Sequence, residues 1–263
     1  MKNSYFPKNN ECRMKNAKDI ETSRKYFFEG KNRVLYHLVQ QRFLWMNDYI
    51  KDDDKIIIEL GCGAGLSKEF INNPNLVLTD IVKHEWTDKY EDALNIDYPD
   101  ESIDVIICSH MIHHLSNPAL FIDNIAKKLK TGGRIIIQDI YTCALMKFAL
   151  RIMCHEGWSD TIDVFDRKAI CNNPSDPWSA NCSIPKLLFK EEMFAKQFPQ
   201  YNIIKNEKNE CFLFLLSGGV IAKTYSPPIG DIGAKILQKM DKFFVNIAPS
   251  IFACGCSVVL EKK

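Results

Sequence analysis

Residues 56–65 read Ile-Ile-Ile-Glu-Leu-Gly-Cys-Gly-Ala-Gly, a run that leaves the chain few conformational choices. Three β-branched residues favour an extended strand buried on both faces. Glycines then follow at positions 61, 63 and 65, where the backbone turns and a bulky ligand can approach closely because no Cβ intervenes. Glu59 stands two residues before the first glycine, so the strand delivers a carboxylate to the mouth of the turn. A carboxylate beside bare backbone suits a polar, partly cationic ligand. The G-x-G-x-G spacing differs from G-x-G-x-x-G, which opens a helix N-terminus onto a dinucleotide pyrophosphate.

Further along, strands and helices alternate. Arg33 to Ile50 carries apolar residues at helical spacing, and Asp52–Asp54 ends that helix before the first strand. Leu66 to Ile71 begins a helix that Asn72-Asn73-Pro74 stops. Leu76 to Leu78 makes a second strand ending at Thr79 and Asp80. Ala93 to Ile96 reads as a third, ending at Asp97, and Ile103 to Cys108 as a fourth. Asn117-Pro118 caps and starts a helix running through Leu129. Thr131-Gly132-Gly133 closes it, and Arg134 to Ile140 is the fifth strand. This rhythm predicts an α/β fold with a parallel, doubly wound sheet. Ligands of such sheets bind at the carboxyl ends of the strands. The residues to watch therefore lie at 59–65, 80, 97, 109–114 and 139–142.

Taken together, four blocks resemble class I S-adenosylmethionine-dependent methyltransferases of the small-molecule type, with a methyltransferase-11-like domain. They are Ile56–Gly65, Asp80 at the end of the second strand, Ile96-Asp97, and Asp104 to Leu115 followed by Leu129 to Ile137. The resemblance covers roughly residues 25–141 and returns weakly in the last strand. It implies a Rossmann-like seven-stranded sheet that binds S-adenosylmethionine and releases S-adenosylhomocysteine. Glu59, Gly61, Cys62 and Gly63 would flank its methionine and ribose parts. Asp80 would accept the ribose hydroxyls beside Ile81, Ile96 and Asp97 would face the adenine, and Ser109 would complete the set. Tyr26, Phe27 and Phe28 either close over this site or pack on the sheet edge.

Methyl transfer from a sulfonium is an in-line displacement, so positioning matters most. A hydroxyl acceptor additionally needs a base. His110, Asp139 and His155 are the leading candidates, with His113 and His114 behind them as an adjacent pair that cannot both point inward. The Asn/Asp-Pro-Pro-Tyr/Phe motif of many nucleobase methyltransferases is replaced by Ser109-His110-Met111-Ile112. With a net charge of only +1, this argues against a nucleic-acid substrate. The expected acceptor is a small, sugar or lipid-linked molecule, methylated on a hydroxyl, with N- or C-methylation as the alternative.

Two other classes stay open. A nicotinamide oxidoreductase would share the strand and turn, but its Tyr-x-x-x-Lys pair is missing. A non-catalytic subunit would bind the cofactor and dock through an apolar surface such as Tyr141 to Cys154. That same helix could instead rest on a membrane surface.

Residues 1–50 are expected to form an N-terminal cap segment and helix, with the first thirty residues irregular. Residues 51–141 would be the cofactor-binding core. Residues 142–200, rich in Asn, Asp, Ser and Pro around Trp158 and Trp178, would form an acceptor lid inserted after strand 5. Residues 201–263 would complete the sheet. The ten cysteines include no C-x-x-C pair, so no metal site is expected. An N-terminus without an apolar signal core and free thiols together suggest a cytoplasmic protein. Phe243 to Leu260 is uncharged, but Asn246, Pro249 and Gly255 interrupt it. No transmembrane segment is expected.

Overall fold

The computed structural model describes residues 3–7, 17–154, 156–220 and 225–263. Its centre is a seven-stranded sheet. In chain order the strands are β1 (Ile57–Leu60), β2 (Leu76–Asp80), β3 (Lys89–Tyr90), β4 (Ile103–Ser109), β5 (Leu129–Ile140), β6 (Tyr201–Asn209) and β7 (Gly255–Lys262). Their spatial order is β3-β2-β1-β4-β5-β7-β6, and only β7 runs antiparallel to its neighbours. The sheet is thus Rossmann-like and doubly wound, as the sequence implies. Ile57, Ile58, Ile106, Ile107, Ile135, Ile136 and Ile137 are fully buried, since both faces are covered. Each such side chain contributes about 1.5–3 kcal/mol by leaving water.

Helices α1 (Ala17–Phe28) and α2 (Arg33–Leu44) precede the sheet, and α3 (Pro118–Lys128) joins β4 to β5. Asn117 accepts the Leu120 N–H at the start of α3, with Pro118 at its first position, as expected. After β5 come α4 (Ala144–Met153), α5 (Ile184–Leu188), α6 (Glu191–Gln197) and α7 (Phe212–Leu216). The last helices are α8 (Asp231–Ile247) and α9 (Pro249–Phe252). Ser4–Tyr5 pairs with Trp158–Ser159 in a separate ladder. No helix among the described residues is long and apolar enough to cross a membrane.

Several elements differ from their expected form. Within the first thirty residues, expected to be irregular, Ala17–Phe28 is helical, because Ile20, Ser23 and Phe27 give α1 one buried face. The helix expected over 33–50 turns into a 3-10 helix at Trp45–Tyr49. Leu66–Glu69 is also a 3-10 turn rather than an α-helix. Ala93–Ile96 is not a strand. Asp92 accepts the Leu94 N–H through its side chain and the Asn95 N–H through its carbonyl, which folds a turn there. The edge strand lies earlier, at Lys89–Tyr90, against Thr79–Asp80. β5 begins at Leu129 and passes a register irregularity around its glycine pair.

Candidate active site

The turn after β1 is held open from three sides. Gly61 has φ +68°, and a Cβ there would come within 2.6 Å of Met111 Cγ. Gly63 has φ +48° with open space where a Cβ would stand. Its N–H donates to Asp80 Oδ2 at 2.8 Å, and its carbonyl accepts from Trp86 Nε1 at 2.8 Å. Arg24, from α1, donates to the Ala64 and Gly65 carbonyls and stacks on Trp86.

A cavity of about 500 Å³ lies over this turn. The carboxyl ends of β1, β2 and β4 give it Glu59, Gly61, Cys62, Gly63, Asp80, Ile81 and Ser109. Ile20 and Ser23 of α1 also line it, while Phe27 packs on Tyr36 and Phe70. Helix α1 therefore covers the site through its Ile20–Ser23 face rather than through the aromatic cluster.

Two expected cofactor residues lie elsewhere. Asp97 has a side chain 98 % exposed, and Ile96 is buried in the core beneath the sheet. The turn at Asp92, Ala93 and Leu94 lines the cavity in their place. The early strand end moved the wall five residues upstream.

Glu59 is buried, with the Ser67 hydroxyl donating to it. Burial, with Asp80 nearby, pushes its carboxyl up to about 8. Asp80 is likewise raised by burial, against the opposing N–H donors of Val82 and Gly63. These groups fit S-adenosylmethionine. A buried carboxyl can ionise against a cation, a second one at the end of β2 keeps lone pairs beyond its backbone donors, and Gly63 leaves room for the ligand.

The remaining wall carries the histidines. His110 has φ +53°, lines the cavity and stacks on Phe214, and its buried Nε2 has no hydrogen-bond partner among the described residues. Burial, then Arg42 and His113, hold it well below the usual imidazole range, so it is neutral. His113 is the opposite case. Burial would lower it, but Asp139 at 2.5 Å from Nδ1 and Glu156 at 3.7 Å from Nε2 outweigh that and carry it to about 10. It is an imidazolium between two carboxylates. Burial and that neighbouring cation lower His114 to about 4, and its Nδ1 donates to the Ser179 carbonyl at 3.0 Å.

Asp139, expected as a base, is wholly buried and absent from the cavity wall. Its oxygens accept from the Ile112 and Ile140 N–H groups as well as from His113. It orients the loop after β4. His155 lies outside the described residues. Sequence reasoning missed Glu156, Arg42, Met153 and Phe214, all of which line the cavity beside Trp178. It also missed that His113, His114 and Glu156 bring polar atoms within 4.8 Å of one another, although His113 as an imidazolium offers no lone pair to a metal. Cysteine spacing gave no hint of that set.

Residues 28–192 match the family described as "Methyltransferase domain". The chain is 26% identical over 129 residues to the ubiquinone biosynthesis O-methyltransferase of Stutzerimonas stutzeri (strain A1501), covering 43% of this chain and 56% of that protein. The protein of the same name from Xylella fastidiosa (strain M23) is 24% identical over 128 residues, covering 42% of this chain and 52% of its own. The chain thus spans about half the length of the curated relatives it matches. A solved SAM-dependent methyltransferase from Archaeoglobus fulgidus shares the fold. It is 19% identical with a TM-score of 0.52, over 90% of this chain and 99% of that one. With the sheet order, the glycine turn and a family match across more than half its residues, the chain belongs to the methyltransferase-domain family, among the class I S-adenosylmethionine-dependent methyltransferases.

Proposed function

We propose that this chain transfers a methyl group from S-adenosylmethionine to a hydroxyl oxygen on a sugar or lipid-like acceptor. The observation that carries the reading is one continuous cavity. It joins the glycine turn to a histidine cluster and to an apolar wall of Met146, Leu150, Met153, Trp178 and Phe214. When bound, S-adenosylmethionine supplies a methyl group on a sulfonium, ready for in-line displacement. Glu59 would hold its cationic part, Asp80 its ribose and Asp92 its adenine, with Gly61, Cys62, Gly63, Ile81 and Ser109 shaping the walls. These roles deepen the cofactor fit with residues that the cavity itself brings together.

For the acceptor, His110 is the group we assign to take a hydroxyl proton, since it lines the cavity and its buried Nε2 has no hydrogen-bond partner among the described residues. The His113 imidazolium, fixed by Asp139, places positive charge near the oxygen as it loses that proton. Residues 142–200 serve as the acceptor lid, since α4 and the 156–178 loop form the apolar wall. The relatives' name supports oxygen as the accepting atom.

The test is transfer of a labelled methyl group from S-adenosylmethionine into lipid and water-soluble extracts, with wild type and His110→Ala. Label in a lipid-extractable product, lost in the variant, supports the reading. Adenosyl-ligand binding with no transfer to either extract would instead indicate a non-catalytic subunit. Label on nitrogen or carbon would move the acceptor class.

A further inference from the structure

Helix α8 lies beyond the family match and carries a surface that the methyl-transfer site does not use. Its inner face is settled, with Ala234, Asp241 and Val245 buried against the domain. The Asp241 oxygens there accept the N–H groups of Cys211, Phe212 and Leu213. The opposite face carries Ile232, Ile236, Met240, Phe243 and Ile247, spaced by four, four, three and four residues. That spacing puts them in one stripe. Ile232 is 79 % exposed, Phe243 60 % and Ile247 65 %, and Ile251 of α9 is also exposed. Folding has left this much apolar surface uncovered in one continuous row.

Alongside that row runs a second. Lys235, Lys239 and Lys242 are exposed and follow the same helical spacing, one flank over. The acidic residue on the exposed part of α8 is Asp231 at its start, already bound by Arg33 and His37 at 2.8 Å each. The outer surface is therefore apolar on one side and cationic on the other. That pattern complements lipid tails beneath anionic headgroups. The surface also reaches the site. Helices α4 and α8 both pack on α9, and α4 exposes Phe148 and Ile152 while its other face lines the cavity with Met146 and Leu150.

We propose that the outer face of α8, continued by Ile251, Phe148 and Ile152, docks on an anionic phospholipid bilayer. The apolar row sinks below the headgroups, and Lys235, Lys239 and Lys242 meet their phosphates. The inference stands apart from the acceptor reading, since docking would occur whatever the cavity methylates.

The experiment is co-sedimentation of the full chain with vesicles of phosphatidylcholine alone and of phosphatidylcholine mixed with phosphatidylglycerol. Wild type is expected to sediment with the mixed vesicles and to be released by salt. The double variant Phe243→Gln/Ile247→Gln should lower partitioning at least about tenfold. The triple variant Lys235→Gln/Lys239→Gln/Lys242→Gln should lower it by about a hundredfold at low salt, roughly fivefold per lysine, and remove the preference for phosphatidylglycerol. Both should keep the wild-type circular dichroism and S-adenosylmethionine affinity. Failure of wild type to sediment with either vesicle would overturn the proposal, as would binding that both folded variants retain. So would a lipid-free dimer, seen by light scattering, that Phe243→Gln/Ile247→Gln dissolves, because a second copy would then cover the face.

Discussion

Arg42 and Glu210 meet as a buried two-pronged ion pair, with Nε 2.8 Å and Nη2 2.7 Å from the two carboxylate oxygens. The side chains are 3 % and 1 % exposed, and Gln138 Nε2 adds a third donor to Glu210 at 2.9 Å. The pair ties α2 to the end of β6, and Arg42 also forms part of the cavity wall. Glu210→Ala would strand a guanidinium in the interior and should cost about 3–5 kcal/mol in urea unfolding. Replacing both partners with apolar residues of similar size should recover most of that loss. A double variant that loses as much as Glu210→Ala would mean that the stranded guanidinium is not the source of the loss.

The Glu59 carboxyl, held near 8 by burial, predicts a proton linkage. Its pKa is raised from 4.5, so its contribution to stability is fully present below that value and is lost as pH rises through about 8. Glu59→Gln keeps the shape but cannot ionise, so it should gain on wild type between about pH 5 and pH 9. A cation at this carboxylate lowers it again. S-adenosylmethionine binding near neutral pH should therefore release a proton and tighten as pH rises. Calorimetric titration in two buffers of different ionisation enthalpy reads the proton directly. A proton count of zero would remove Glu59 from the cofactor's cationic part.

Gly61 and Gly63 should separate folding from binding. Gly61→Ala meets Met111 in a left-handed backbone and should lose about 1–3 kcal/mol of stability. Gly63→Ala has no such neighbour, so its stability should fall by only about 1–2 kcal/mol. Its added methyl group occupies ligand space, and S-adenosylmethionine affinity should drop well beyond the stability change. Thermal unfolding and titration on the same samples compare the two.

Asp92 and Asp97 offer the plainest contest between sequence and structure. Asp92→Ala should weaken S-adenosylmethionine binding about tenfold, the value of one lost hydrogen bond in a buried site. Asp97→Ala, at an exposed side chain, should leave the affinity unchanged. The reverse result would return the adenine contact to Asp97.

What the sequence disclosed was local. The strand before Glu59, the glycine turn and Asp80 are written in adjacent residues, and the structure gathers them around one cavity. Asn117-Pro118 likewise announced α3. The third strand failed because β3 is two residues long, too short for any side-chain alternation, while Ala93–Ile96 imitates a strand that Asp92 folds into a turn. Helix α1 was hidden because so few of its residues are apolar. Asp139 looked catalytic at a strand end, but its burial depends on the Ile112, His113 and Ile140 donors that surround it. Glu156 reaches the site, and Glu210 its wall residue Arg42, from distant segments, and no spacing rule connects them to His113 or Arg42.

The place of β7 has a consequence for how the molecule is made. Gly255–Lys262 slots between β5 and β6, and among the described residues β6 pairs with no other strand. During synthesis, then, β1 to β5 can assemble while β6 waits with neither edge matched. Sheet closure therefore waits until the segment at 255–262 has cleared the ribosome. Until then the outer edge of β5 and all of β6 are open to mispairing, an exposure a chaperone could shield and a stalled ribosome would prolong.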